Sequence, residues 1–242
     1  MQLIIKKNPA DLAKAAADFI AKRIKEVLKT QDRFTIALSG GSTPKALHEL
    51  LAKAPYVDQI PWLQLHVFWG DERYVPATDK ESNYRMAKET LLQPLNISPQ
   101  QVFPVDTGLS PEAAAKAYQA NLERFFDEGE IRFDLILLGM GDDAHTASLF
   151  PYSAILHDSE AAVRAVELPE KQTWRITMNA PMINNAARII FLVTGPEKAE
   201  ALKHVMNEDP EGLIIDLYPA QLIRNERVAW FVDRAAAQRI EY

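Results

Sequence analysis

Short apolar runs separated by helix-patterned stretches constrain this chain more than any other feature. LIIK, FTIAL, QLHVFW, FDLILL, RIIFLV and VAWFV read as strands, and amphipathic segments fall between most of them. Such alternation builds β-α-β units, because a strand hydrophobic on both faces needs helices above and below it. The expected fold is α/β: a three-layer, Rossmann-like, mainly parallel sheet with helices on both faces. The 242 residues suit one domain spanning 1–242, and 48% hydrophobic with 25% charged residues supplies a sizeable core.

Helix starts are marked by caps. Asn8 precedes Pro9 and a stripe of Leu12, Ala16, Phe19, Ile20, Ile24, Val27 and Leu28. Ser82 precedes a helix through Tyr84, Ala87 and Leu91, and Ser110 with Pro111 opens another. KALHELLAKA continues the turn SGGSTP as a helix, WRITM alternates as a strand before PMINNA, and Gly195-Pro196 opens the helix EKAEALKHVM. The 15 prolines fall between elements, as in a compact domain without linkers.

Several function classes are set aside by composition. A net charge of -6 with no Lys/Arg-rich stripe argues against a nucleic-acid surface. Zero cysteines exclude disulfides, thiolate metal sites and cysteine nucleophiles, and fit a reducing compartment. The N-terminal stretch lacks the apolar core of a signal peptide, and no apolar run reaches membrane-spanning length, so a cytoplasmic protein is expected. A small anionic substrate fits if a few basic groups converge on one pocket.

In a parallel sheet, ligands bind beyond the carboxyl ends of the strands, near the point where strand order reverses. Four turns at such positions carry unusual residues: SGGSTP, GDER, GMGDDAH and TGPEK. SGGSTP offers glycines for close backbone approach, Thr43 as a cap and Pro44 at the helix start, a cradle that suits an anion without the spacing of a P-loop. In GDER, Arg73 can grip a phosphate through two parallel donors, although Asp71-Glu72-Arg73 alone reads as a solvated charge run. Lys198 of TGPEK sits in a first helical turn, where the dipole disfavours a cation unless an anion binds there; Lys45 has a similar placement.

The turn LGMGDDAHTASLFP, Leu138 to Pro151, admits two readings. Gly139, Gly141 and Ala144 match the spacing of a dinucleotide fingerprint. Against that, Asp142, Asp143 and His145 occupy the turn where pyrophosphate would have to approach, and SLFPYS breaks the following helix early. The alternative is a general base at His145 with a neighbouring carboxylate fixing its tautomer. His48, His66, His157 and His204 lack an acid-rich turn, and none forms an HExxH or H-x-E metal pattern, so no metal site is expected.

Taken together, ALSGGSTPKALHELLA, FWGDERYVPATDKESNYRMAKETLL, LILLGMGDDAHTASLFP and WRITMNAPMINNAARIIFLVTGPEKAEAL resemble the 6-phosphogluconolactonases. The resemblance runs over nearly the whole chain. It implies hydrolysis of 6-phospho-D-glucono-1,5-lactone, a phosphosugar lactone, with no metal or nucleotide cofactor. It further implies His145 as general base, Asp143 as its orienting carboxylate, and Gly41, Ser42, Thr43, Asp71, Arg73 and Lys198 around the substrate and its phosphate. A monomer is compatible with such a site. Two departures stand out: Ala144 where the family usually has glycine, which would be strained if the backbone needs a positive φ, and PEKQTW in place of a proline-rich run, which leaves Arg175 without an assigned role.

Two rivals follow from the same residues. A glucosamine-6-phosphate deaminase-like isomerase resembles the chain in the cradle and histidine turn, but would carry Tyr at Arg73 and a glutamate at Phe150. A non-catalytic sugar-phosphate sensor would normally add a DNA-binding or partner domain, for which the length leaves no room.

Overall fold

The computed structural model describes residues 2–207, 212–224 and 226–240. Its strands are β1 (Gln2–Lys6), β2 (Phe34–Leu38), β3 (Leu65–Trp69), β4 (Asp71–Arg73), β5 (Leu135–Leu138), β6 (Val163–Leu168), β7 (Thr173–Met178), β8 (Ile189–Val193) and β9 (Val228–Asp233). The helices are α1 (Pro9–Val27), α2 (Ser42–Leu51), α3 (Tyr56–Gln59), α4 (Asn83–Ala87), α5 (Pro111–Phe125), α6 (Ala180–Asn184) and α7 (Ala199–Met206).

A six-stranded sheet runs in the order β1-β9-β8-β5-β2-β3, with all its pairings parallel. The chain steps outward from β2 to β3, then returns to the other side of β2 for β5 and continues to β8 and β9. Strand order therefore reverses between β2 and β5, and the crevice beyond their carboxyl ends lies between SGGSTP and GMGDDAH.

Helices cover both faces, and the period-2 geometry of the strands divides the core between them. On β5, Leu135 and Leu137 join a cluster with Leu12, Ile20 and Ile24 of α1 and Leu47 of α2. Ile136 and Leu138 point the other way, into a cluster with Tyr118 and Leu122 of α5, Ile183 of α6 and Leu202 of α7. Phe191 and Trp230 stack at 3.6 Å in that second cluster. The cap signals hold: Asn8, Ser82 and Ser110 side chains accept from the backbone N–H groups of Asp11, Arg85 and Ala113.

Three details differ from the sequence reading. GDER is not only a turn: Asp71–Arg73 forms β4, which pairs antiparallel with β7, and β7 pairs with β6, giving a second, three-stranded sheet. A three-residue strand is defined by its partner rather than by its own pattern. Thr43 does not cap α2, because Gly41, at φ 105°, is the N-cap and no side chain caps the helix. Pro196–Lys198 forms a separate 3₁₀ turn, so α7 begins only at Ala199.

Candidate active site

The acid-rich turn folds back on itself to present a histidine. Gly141 N–H donates to the His145 carbonyl at 2.8 Å, and Ala144 N–H donates to the Gly141 carbonyl at 3.2 Å. A Cβ at Gly141 would run into the His145 ring and the Asp143 carboxylate, so only glycine allows this approach. Ala144 does take the positive φ, 61°, with its methyl fully buried. The Thr146 hydroxyl donates to the Gly139 carbonyl at 2.9 Å and ties the far side of the turn to the end of β5.

Within that turn, His145 Nδ1 meets Asp143 Oδ1 at 2.5 Å, and the same oxygen accepts the His145 backbone N–H at 3.1 Å. Burial pushes the Asp143 carboxyl up, but the His145 side-chain bond, its charge and the backbone donors outweigh it and hold the group at about 2. Asp143 is therefore an acceptor at neutral pH and the proton on the shared edge belongs to Nδ1, so in the neutral form of the ring the lone pair is on Nε2. The His145 side chain is 30% exposed, enough for water to reach it.

The GDER residues divide their tasks. Glu72 is buried and accepts from the backbone N–H groups of Arg73, Asn83 and Tyr84 and from the Ser82 hydroxyl, which joins β4 to the start of α4. Burial raises its carboxyl above the usual range in spite of those donors. Asp71 is also buried, and its Oδ2 accepts the Ser148 hydroxyl at 2.8 Å, tying the histidine turn to the second sheet. Arg73 stands directly across from Arg175 on β7, with an Nη1 donating to the Glu81 carbonyl at 2.9 Å.

The cradle joins this arrangement through side chains that the sequence reading did not single out. Asn83 packs against Gly40 so closely that a Cβ there would collide with it, and its Nδ2 donates to the Asp71 carbonyl at 2.9 Å. Thr43 and Thr194 share a hydroxyl–hydroxyl bond of 2.7 Å, linking the cradle to the turn that carries Gly195 and Lys198. Gly41 and Ser42 are exposed at the start of α2, where the first helical N–H groups have no intrahelical partner. Lys198 makes no side-chain bond to the His145 turn; it lies four residues beyond Thr194, at the end of the 3₁₀ turn Pro196–Lys198.

Arg175, Thr194, Asn83, Ser148 and Phe150 thus join the candidate site through their contacts, although the sequence alone assigns none of them a role. The alternation in WRITM was the available signal for Arg175, since it put Arg175 and Thr177 on one side of a strand. Phe150 stacks on the His145 ring at 4.4 Å, and a groove of about 840 Å³ runs from Asp143 and Phe150 along β6 to Lys171. Among the described residues no group of three or more His, Asp or Glu side chains is arranged to hold a metal ion, and no helix is long and apolar enough to cross a membrane.

An aspartate-held imidazole at the switch point of a parallel sheet, beside an uncapped helix start, belongs with the α/β enzymes. Comparison with known proteins narrows the class. The chain matches the family model described as glucosamine-6-phosphate isomerases/6-phosphogluconolactonase over residues 7–230. A 6-phosphogluconolactonase of Nostoc sp. is 39% identical over 229 residues, covering 92% of this chain and 91% of its own length. One from Haemophilus influenzae is 39% identical over 228 residues, covering 93% and 96%. The solved 6-phosphogluconolactonase from Trypanosoma cruzi superposes with a TM-score of 0.86 at 30% identity, covering 100% of this chain and 97% of that one. A monomeric glucosamine-6-phosphate deaminase, at 22% identity and a TM-score of 0.82 over 99% and 100% of the two chains, shares the fold. The chain belongs to the glucosamine-6-phosphate isomerase/6-phosphogluconolactonase family and is an enzyme of that superfamily.

Proposed function

We propose that this chain, acting as one domain over residues 1–242, hydrolyses 6-phospho-D-glucono-1,5-lactone to 6-phospho-D-gluconate with chemistry supplied by its own side chains. The observation that carries the reading is the Asp143–His145 pair, with Nδ1 occupied and Nε2 open at the switch point. Nε2 accepts a proton from water as the water oxygen bonds to C1 of the lactone. The tetrahedral oxyanion then collapses, the bond from C1 to the ring oxygen breaks, and the imidazolium returns the proton to that oxygen. Asp143 stabilises the imidazolium between the two transfers without itself being protonated.

A lactone is already an activated ester, so positioning supplies much of the remaining rate. The 6-phosphate is far from C1 and can be used to anchor the ring. Arg73, the facing Arg175, the first N–H groups of α2 around Gly41, Ser42 and Thr43, and Lys198 are the groups we assign to it. Asp71 takes an indirect part, since its carboxylate is used by Ser148. Phe150 in contact with His145 supports the lactonase reading over the isomerase, whose ring opening would want a carboxylate there.

The deciding experiment is a proton-release assay on freshly generated lactone, run beside turnover of glucosamine 6-phosphate. Acid release above the spontaneous rate, without ammonia release from the second substrate, is expected. The reverse pattern would overturn the proposal in favour of the isomerase.

A further inference from the structure

The imidazole of His145 is joined to the backbone through Cβ and held by Asp143 at Nδ1, so the motion left to it is a small tilt in which both side-chain torsions change together. Such a tilt would move Nε2 away from a fixed water. A flat contact removes this freedom, and Phe150 supplies one: the two ring centres are 4.4 Å apart and their planes differ by 30°. One in-plane bond and one face contact together fix both the position and the direction of Nε2.

Phe150 is itself firmly mounted. Its carbonyl accepts the Ser153 hydroxyl at 2.6 Å, and the preceding Leu149 is fully buried. Ser148 is held twice by the second sheet, through its hydroxyl to Asp71 on β4 and through its backbone N–H to the Thr177 hydroxyl on β7 at 3.2 Å. From the β6–β7 hairpin, Lys171 brings its Nζ to 5.7 Å from the centre of the phenyl ring. The small antiparallel sheet therefore acts as a mount for the ring that faces His145.

We infer that Phe150 is a positioning residue that sets the plane of the His145 imidazole, with the second sheet as its support. The inference rests on the reading of His145 as the base in lactone hydrolysis. Phe150→Leu keeps an apolar side chain but loses the flat face; Phe150→Tyr restores the face. The first is expected to lower kcat on the lactone by about 10- to 100-fold with KM changed less than about 2-fold, and the second to recover most of it. Phe150→Met, which keeps more of the packing, is measured alongside, with melting temperatures of all variants as the folding control.

A second readout needs no turnover. The ring protons of His145 should carry an upfield shift from the phenyl ring current in the wild-type NMR spectrum, lost in Phe150→Leu and kept in Phe150→Tyr. Unchanged kcat in Phe150→Leu and Phe150→Met, a rise in KM alone, or identical ring-proton shifts would each overturn the inference. A wild-type protein inactive on the lactone would defeat the functional reading, and the NMR comparison would then decide the positioning by itself.

Discussion

Arg73 and Arg175 sit directly opposite each other on the antiparallel pair β4–β7. Like charges in that relation repel, and burial together with the Arg73 charge draws the Arg175 guanidinium below its ordinary range. A phosphate dianion placed between them would turn the repulsion into two attractions. Replacing either arginine by alanine is expected to raise KM by about 10- to 100-fold while kcat falls much less, as for lost ground-state anchoring. Inorganic phosphate should raise the melting temperature of the wild type and not of the double variant. An unchanged KM in both single variants would place the phosphate elsewhere.

His145→Ala should reduce lactone hydrolysis to the spontaneous background while phosphate still stabilises the fold. Asp143→Asn keeps the shape of the pair but no longer favours the Nδ1 proton, and is expected to lower kcat on the order of 10³-fold. Steady-state kinetics separates the two from binding defects. Full activity in His145→Ala would remove the imidazole from the mechanism.

The link between Thr43 and Thr194 is expected to act on binding alone. Thr194→Val removes one hydroxyl of a bond that joins the cradle to the Lys198 turn. A rise in KM of about 3- to 10-fold at nearly constant kcat corresponds to the loss of one such hydrogen bond. A change in kcat with KM intact would show that the two turns do not move as a unit for substrate.

His48 makes stability depend on pH. It is fully buried on α2, and burial lowers its imidazole from 6.5 to about 4. The unfolded chain thus takes up a proton that the folded chain refuses. The contribution is fully present above about pH 6.5 and is lost as pH falls toward 4, on the order of 3 kcal/mol at the limit. Denaturant titrations from pH 7 to 4 should show a decline that is shallower in His48→Gln. Equal slopes in the two proteins would assign the decline to other groups.

Ala144 is the place where the sequence departs from the glycine expected of the turn. Its left-handed conformation costs about 1–2 kcal/mol relative to an ordinary one, while its buried methyl returns about 0.8 and glycine would lose about 0.5–1 in chain entropy. These nearly cancel. Ala144→Gly should change unfolding free energy by less than about 1 kcal/mol and leave kcat intact, whereas a β-branched residue there should be strongly destabilising. A large gain from Ala144→Gly would mean that the turn is strained as it stands.

The parallel sheet, its covering helices and the histidine turn were legible in the sequence, because each has a local cause. Strands buried on both faces must be apolar, as in FTIAL and RIIFLV, and helix starts need caps, as at Asn8 and Ser110. The turn put Asp142, Asp143 and His145 within four residues, so spacing offered a carboxylate for the imidazole; the family resemblance pointed to Asp143, and the structure pairs it with His145.

Local pattern offered one strand of the second sheet, β7, through the alternation in WRITM, and nothing about its pairing, the arginine pair or the contact of the Phe150 ring with His145. Asp71–Arg73 is a strand only because β7 lies beside it, and Arg73 and Arg175 are 102 positions apart until that pairing forms. Thr43 looked like a cap and became a link to Thr194 once α2 and β8 were packed side by side. Sequence by itself determined which short segments could do chemistry, since backbone geometry and residue type act over a few positions. Only the tertiary structure decided which of them meet, because register and side-chain contact between distant strands are set by the packing of the whole sheet.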